Sequence, residues 1–335
     1  MFRALLLAAA AVSLVVLFAA CGDDAGPDEP QQITFMAGFR AQANLPFVAV
    51  YVAEAKGFFA DEGLEVDIQH SSGGDEHLKL LLEDQVQFIT GTASQVIRRR
   101  VDELPVQAVA LFGQRGDQGF IALADSGIAS PADFAGHSVG FKAGVVPAEL
   151  HALLATAGLT VDDVELRSVG FDPREFFIEG AVDVYPVFLN NEPDTVRRAG
   201  IDIVVFDPHD YGVPTLGLTY LATEATVSDN PELVERFLRA TLRAIEYIEG
   251  NIDEAVEITL TYAEGADAEH QRFLLETDLA AAQRADGIGR SDAAQWQSLV
   301  DLLLAYGVIE HDTDVDQAFA GSFVDDLYDD DGNLR

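Results

Sequence analysis

The sequence predicts an α/β protein of two lobes with a helical segment at its C-terminal end. Three observations carry that prediction. Short apolar runs alternate with helical patterns from Ile33 to Phe112 and again from Phe120 to Phe206, the rhythm of a mostly parallel sheet. That rhythm breaks at Gly113 to Gly119 and at Tyr211 to Leu221, as it would where a chain crosses between lobes. Beyond Asn230 the pattern is helical.

Each element has a local reason. Ile33–Ala37 predicts the first strand and leads into a polar loop from Gly38 to Asn44. Pro46 suits the first turn of a helix, where its missing N–H costs nothing, and that helix carries Phe47, Val50 and Tyr51 before stopping near Gly57. Leu64 to Gln69 alternates as a strand, and Ser71-Ser72-Gly73-Gly74 turns into a helix bearing Leu78, Leu81 and Leu82. Val86 to Thr90 and Val106 to Phe112 predict further strands, with a helix between them that ends at Arg98-Arg99-Arg100. In the second unit, Pro131 to Phe134 reads as a helical turn, and strands are expected at His137–Phe141, Glu165–Val169, Val182–Phe188 and Ile203–Phe206. Ala148 to Ala157 is a helix stopped by Gly158, and Asp172-Pro173 caps another that Gly180 closes. Asn230-Pro231 opens an amphipathic helix, and more follow near Ile252–Tyr262, Ala268–Arg284 and Asp292–Tyr306. The resulting division is 33–118 with 213–335 for lobe 1 and 119–212 for lobe 2. The acidic tail from Asp325 reads as a frayed end.

About half the residues are apolar, enough for a full core, and the formal net charge is −37. Such a chain repels nucleic acid and anionic membrane surfaces, because affinity for phosphate depends on Lys and Arg. The acidity suits either a merely well-solvated surface or a salt-rich habitat, and melting at low and high salt separates the two. Cys21 is the sole cysteine, so an intrachain disulfide and a multi-cysteine metal site are excluded. Arg3, the apolar run Leu5–Leu17 and Phe18-Ala19-Ala20 before Cys21 predict a secretory signal over 1–20, too short at its core for a membrane span. It resembles a bacterial lipoprotein signal, which implies a lipidated Cys21, a tether over 21–32 and a protein anchored at the extracytoplasmic face of the cell membrane.

The stretch Val184 to Thr195 draws most of the functional attention. An apolar run there ends in Tyr185, Pro186, Phe188, Asn190, Asn191 and Glu192, just before a helix begins. Strand tips of this kind bind small ligands in open α/β sheets. The other tips and loop starts add Phe39, Phe47, Tyr51, Phe112 and Tyr211, with Gln42, Asn44, Ser72 and Thr92. Aromatic plates with sparse donors and acceptors suit a neutral heterocycle, whereas sulfonates and phosphates call for cations or helix N-termini. Each aromatic also suits a core position. Glu192 reads either as a ligand acceptor or as a carboxylate favoured by the helix dipole, and Lys142 as a cleft residue or a surface one. The seven histidines have no metal-ligand spacing, and no nucleophile elbow or phosphate loop is present, so no catalytic residue, metal or cofactor is expected.

Several motifs also resemble a known group. Asn44-Leu45-Pro46-Phe47, Tyr51-Val52-Ala53 and Lys56-Gly57-Phe58-Phe59 resemble the family that joins sulfonate-binding proteins to thiamine-pyrimidine synthases. Tyr185-Pro186-Val187-Phe188, Asn191-Glu192-Pro193-Asp194-Thr195 and Asp210-Tyr211-Gly212-Val213-Pro214 resemble its vitamin-binding members. Leu111 to Gly116 and Ser71-Ser72-Gly73 are most similar to the riboflavin-binding lipoproteins of ABC importers. The resemblance implies a type II periplasmic-binding-protein fold, with an ABC permease and ATPase as partners. It also implies a vitamin ligand: riboflavin, with a thiamine pyrimidine precursor as the alternative and an aliphatic sulfonate or a synthase activity further behind. The synthases use a cysteine-rich iron motif, which this chain lacks.

Overall fold

The computed structural model describes residues 29–72, 75–142, 146–170, 172–177, 179–329 and 331–335, without the side chains of Glu175 and Phe177. The expected signal, Cys21 and most of the expected tether lie outside the described residues.

The strands, in chain order, are β1 (Gln31–Ala37), β2 (Leu64–His70), β3 (Phe88–Thr92), β4 (Val106–Leu111), β5 (Gln118–Leu123), β6 (Ser138–Phe141), β7 (Glu165–Ser168), β8 (Val184–Phe188), β9 (Ile203–Phe206) and β10 (Leu218–Thr223). Between them run α1 (Leu45–Ala55), α2 (Phe58–Asp61), α3 (Glu76–Leu82), α4 (Ala93–Val101), α5 (Ala148–Thr156), α6 (Arg174–Phe177) and α7 (Glu192–Arg198). The C-terminal segment supplies α8 (Glu224–Asp229), α9 (Pro231–Gly250), α10 (Ile252–Tyr262), α11 (Ala268–Ala282), α12 (Ala293–Ala305), α13 (Val315–Ala318) and α14 (Ser322–Leu327).

Two five-stranded sheets result, ordered β2-β1-β3-β10-β4 and β7-β6-β8-β5-β9. The expected mostly parallel arrangement holds for four of the five strands in each sheet, and one strand in each is reversed. In each, the strand that follows a crossing runs antiparallel to both neighbours, β10 against β3 and β4, and β5 against β8 and β9. A chain arriving from the other lobe enters at the end where the parallel strands finish, so its strand must run backwards. Both sheets are covered on two faces, and the strand period of two sends neighbouring residues into different clusters. Phe88 and Tyr220 point to one cluster of the first lobe, and Ile89 and Leu221 to the other. Val184 and Phe120 do the same against Tyr185 and Ile121 in the second lobe. Phe237 of α9 stacks on Phe88 at 4.0 Å between centroids, which ties the longest helix to the sheet.

The crossings touch backbone to backbone. Gly217 N donates to Gly113 O at 2.8 Å, and a Cβ on Gly113 would stand 2.5 Å from Gly217 Cα, so neither position has room for a side chain. Two terminal expectations are also corrected. The first strand begins at Gln31, where Gln31 and Gln32 pair with Leu64 and Glu65, so the tether does not extend to residue 32. The tail from Asp325 is docked, not frayed: Leu327 and Tyr328 are buried, and Tyr328 Oη donates to Ile288 O at 2.9 Å. Acidic residues on either side of Leu327 and Tyr328 hide this packed apolar pair behind the charge.

Candidate functional site

A cavity of about 490 Å³ opens where the two crossings meet the lobes. Its size lies within the range of small-ligand sites. Phe112, Gly113, Arg115, Gly116 and Asp117 of the first crossing and Gly217 and Leu218 of the second form one side. Leu45 and Pro46 open α1 on the first lobe, and Leu189 and Asn190 leave the tip of β8 on the second. Phe273 to Ala281 of α11 supply the remaining wall, with Asp278 at its centre.

Asp278 joins the lobes. It accepts from Leu45 N at 3.0 Å and Asn44 Nδ2 at 3.1 Å on one lobe, and from Asn190 Nδ2 at 2.6 Å on the other. Burial pushes its carboxyl up, and those three hydrogen bonds pull against the push. Asp117 lies on the same cavity. Burial raises its carboxyl to about 7, chiefly by desolvation and then by the charge of Asp278, with Glu149 and Glu192 adding to the rise. Its own backbone amide opposes it. The cation on the lining is Arg115, and it is engaged: its Nη1 lies 3.1 Å from Asp207 and 3.9 Å from Asp210. The cavity therefore offers apolar and aromatic walls with acceptor groups, and its one lining cation among the described residues is ion-paired.

A second acidic group sits close by in a different setting. Glu192, at the start of α7, is 5% exposed. Its Oε1 lies 2.5 Å from Lys142 Nζ, and its Oε2 accepts from Phe188 N at 2.7 Å. Lys142 also lies over the rings of Tyr185 at 5.0 Å and Phe188 at 5.3 Å. Tyr185 is fully buried and donates to Gly170 O at 2.8 Å. Lys142, Tyr185 and Glu192, all candidates from the sequence, are thus brought together as one buried cluster.

The other candidates go to several places. Phe112 lines the cavity, edge-on to Tyr220 at 4.7 Å. Asn44 is buried beneath it on Asp278, and Gln42 Nε2 donates to Asn44 Oδ1 at 2.5 Å. Asn191 Oδ1 lies 3.1 Å from His270 Nε2, whose other nitrogen is 2.7 Å from Asp194. That contact, with Arg198 at 3.4 Å from Asp267, pins α7 to the start of α11. Thr92 caps α4 by accepting from Gln95 N at 3.2 Å. Phe47 is buried in the first lobe's core, while Phe39 and Tyr211 are exposed, as is Ser72.

Asp117 and Asp278 were not legible as site residues. Asp117 sits in the crossing, where any polar residue reads as loop. Asp278 did leave a signal. Gln271, Leu274, Leu275 and Ala282 form the buried stripe of α11, and Asp278 falls on the same helical face.

Comparison with known proteins adds the lineage. The family model described as NMT1/THI5 like matches residues 44–255. The riboflavin-binding protein RibY of Chloroflexus aurantiacus is 30% identical over 307 residues, 88% of this chain and 86% of that one. The formylaminopyrimidine-binding protein of Halalkalibacterium halodurans is 29% identical over 317 residues, 92% of this chain and 96% of that one. In structure, the periplasmic aliphatic sulphonate binding protein SsuA of Escherichia coli superposes with a TM-score of 0.69 at 16% identity, over 86% of this chain and 92% of that one. The chain belongs to the NMT1/THI5 like family and has the fold of the periplasmic binding proteins.

Proposed function

We propose that this member of the NMT1/THI5 like family is an extracytoplasmic receptor that closes its two lobes on riboflavin and delivers it to an ABC permease and ATPase. The observation that carries the reading is the chemistry of the interlobe cavity. Phe112, Leu45, Leu189, Leu218 and Phe273 offer apolar surface to a flat ring system, and Asp117 offers an acceptor to its N–H and hydroxyl groups. A sulfonate or phosphate would need a cation, and Arg115 is held by Asp207. The likeness to RibY supports the same ligand.

Closure follows from differential contact: a ligand that touches both lobes favours the form in which Asp278 bonds Asn44 and Asn190 together. The reading includes lobes divided at 33–118 with 213–335 and at 119–212, and a lipid on Cys21 that holds the protein at the outer face of the membrane. Metabolic labelling with palmitate, lost in Cys21→Ser, tests the anchor. A binding role accounts for the residues better than catalysis does. The two relatives that are similar over most of the chain are both named as binding proteins.

A second reading has its own support. An aminopyrimidine presents an exocyclic amine that a carboxylate meets well, and the formylaminopyrimidine-binding protein is similar along nearly its whole length. Titrating the purified protein with riboflavin while following flavin fluorescence separates the two. Saturable quenching at micromolar protein is expected. An unchanged signal, together with calorimetric heat from a formylaminopyrimidine, would transfer the assignment to the pyrimidine.

A further inference from the structure

The cavity carries a selection rule that its shape alone does not. Six carboxylates stand on or near it: Asp117, Asp207, Glu276 and Asp278 on the lining, with Glu149 and Glu192 close enough to raise Asp117. Among the described residues, Arg115 is ion-paired to Asp207 and Lys142 to Glu192, while Arg98 stands near enough to Glu149 to offset part of its rise. Asp278 has its oxygens engaged by Leu45, Asn44 and Asn190. Asp117 differs. Its backbone carbonyl is used, by Leu189 N at 2.7 Å, but the residue lines the cavity, and its carboxylate has its own backbone amide as donor and feels the charge of Asp278.

We propose that Asp117 is the specificity-determining residue of this cavity, accepting an N–H or O–H from an uncharged ligand and rejecting the phosphorylated or sulfonated counterpart of that ligand. The inference rests on the vitamin-receptor reading and refines it. The physical reason is twofold. A donor brought to Asp117 replaces repulsion from Asp278 with a charge-assisted hydrogen bond. An anion brought to the same place adds to a set of negative charges inside a low-dielectric wall, where repulsion is little screened. The discrimination acts at the cavity itself and on approach, since the whole protein carries a net charge of −37.

The experiment compares matched pairs on the intact folded protein. Riboflavin and riboflavin 5′-phosphate are titrated by flavin fluorescence. 4-Amino-5-hydroxymethyl-2-methylpyrimidine and its phosphate are titrated by calorimetry, with ethanesulfonate as the simple anion. Wild type should prefer the uncharged member of a pair by at least about 10-fold, the scale of one hydrogen bond to a charged group. Asp117→Asn keeps the shape and removes the charge. It should weaken the uncharged ligand about 10-fold and narrow the preference to a few-fold, and Asp117→Ser should act in the same direction.

A preference that both variants leave intact overturns the assignment to Asp117 while the vitamin reading stands. A wild type that takes the phosphate esters as tightly as their uncharged partners also overturns the inference. Binding of ethanesulfonate with neither heterocycle pair overturns both the inference and the reading beneath it.

Discussion

Glu192 and Asp278 are two enclosed carboxylates at the same junction, and each accepts a backbone amide, from Phe188 and Leu45 respectively. They differ in what completes them. Glu192 has the ammonium of Lys142 against it at 2.5 Å, inside a cage made by Tyr185 and Phe188. Asp278 has two carboxamides, Asn44 and Asn190, and faces a second acid. Pairing with Lys142 reduces the field of Glu192 without abolishing it, since Glu192 still adds to the rise of Asp117, and its contacts to Lys142 and Phe188 brace the second lobe. A charge held by neutral dipoles keeps its sign, so Asp278 gives the cavity an electrostatic character. The same residue chemistry yields a brace within one lobe and a charged link between the two lobes.

The largest test of that contrast is Lys142→Met. It strands Glu192 in a buried setting and should cost about 3–5 kcal/mol in urea unfolding, while Lys142→Met with Glu192→Gln should recover most of the loss. Equal stability of the single and double variants would remove the brace. Next comes Asp278→Ala, which leaves Asn44, Leu45 and Asn190 without their acceptor. Unfolding should shift by about 2–3 kcal/mol, with weaker ligand binding in parallel, because the lost bonds span the lobes.

Asp117→Asn should act through pH. The Asp117 carboxyl is raised in the folded state, to about 7 from its ordinary 3.8, so the native protein binds more protons than the unfolded chain between those values. Wild-type stability should therefore fall as pH rises from about 4 to about 7 and then level off. The variant should match wild type near pH 4 and exceed it by on the order of 1–3 kcal/mol at pH 8, read from denaturant midpoints without ligand. A difference of the same size at both pH values would show that Asp117 is not raised. His270→Ala is the mildest. It removes the contacts to Asp194 and Asn191, and the melting temperature should drop by the equivalent of about 0.5–1 kcal/mol.

Much of the architecture could be read from the chain because it rests on local rules. Alternating runs, Pro46 at a helix start and Gly158 at a helix end announce elements within a few residues of themselves. The same locality explains why Tyr185, Lys142 and Glu192 could be singled out but not joined: their meeting depends on β6 and β8 lying side by side. Phe47 marks the opposite limit. An aromatic in the first turn of a helix suits a ligand wall or a core equally well, and the covering helices put it in the core. Asp278 lies more than 80 residues from Asn190, and only the return of the chain after two crossings makes them partners. Charge also misled at the C-terminus, where acidic residues surround the buried Leu327 and Tyr328.

The contact between Gly113 and Gly217 fixes where lever arms are measured from. Gln114 N donates to Ala281 O, which sets the end of α11 beside that fulcrum, and Asp278 lies one turn away. His270 stands 11 residues from Ala281, about 16 Å along the helix at 1.5 Å per residue. For any small rotation of one lobe on the other, the latch between His270 and Asp194 therefore travels much farther than the floor made by Phe112, Gly116 and Leu218. On the proposed receptor reading, a ligand would be held where the lobes move least, and the contact between α7 and α11 would move most on its arrival.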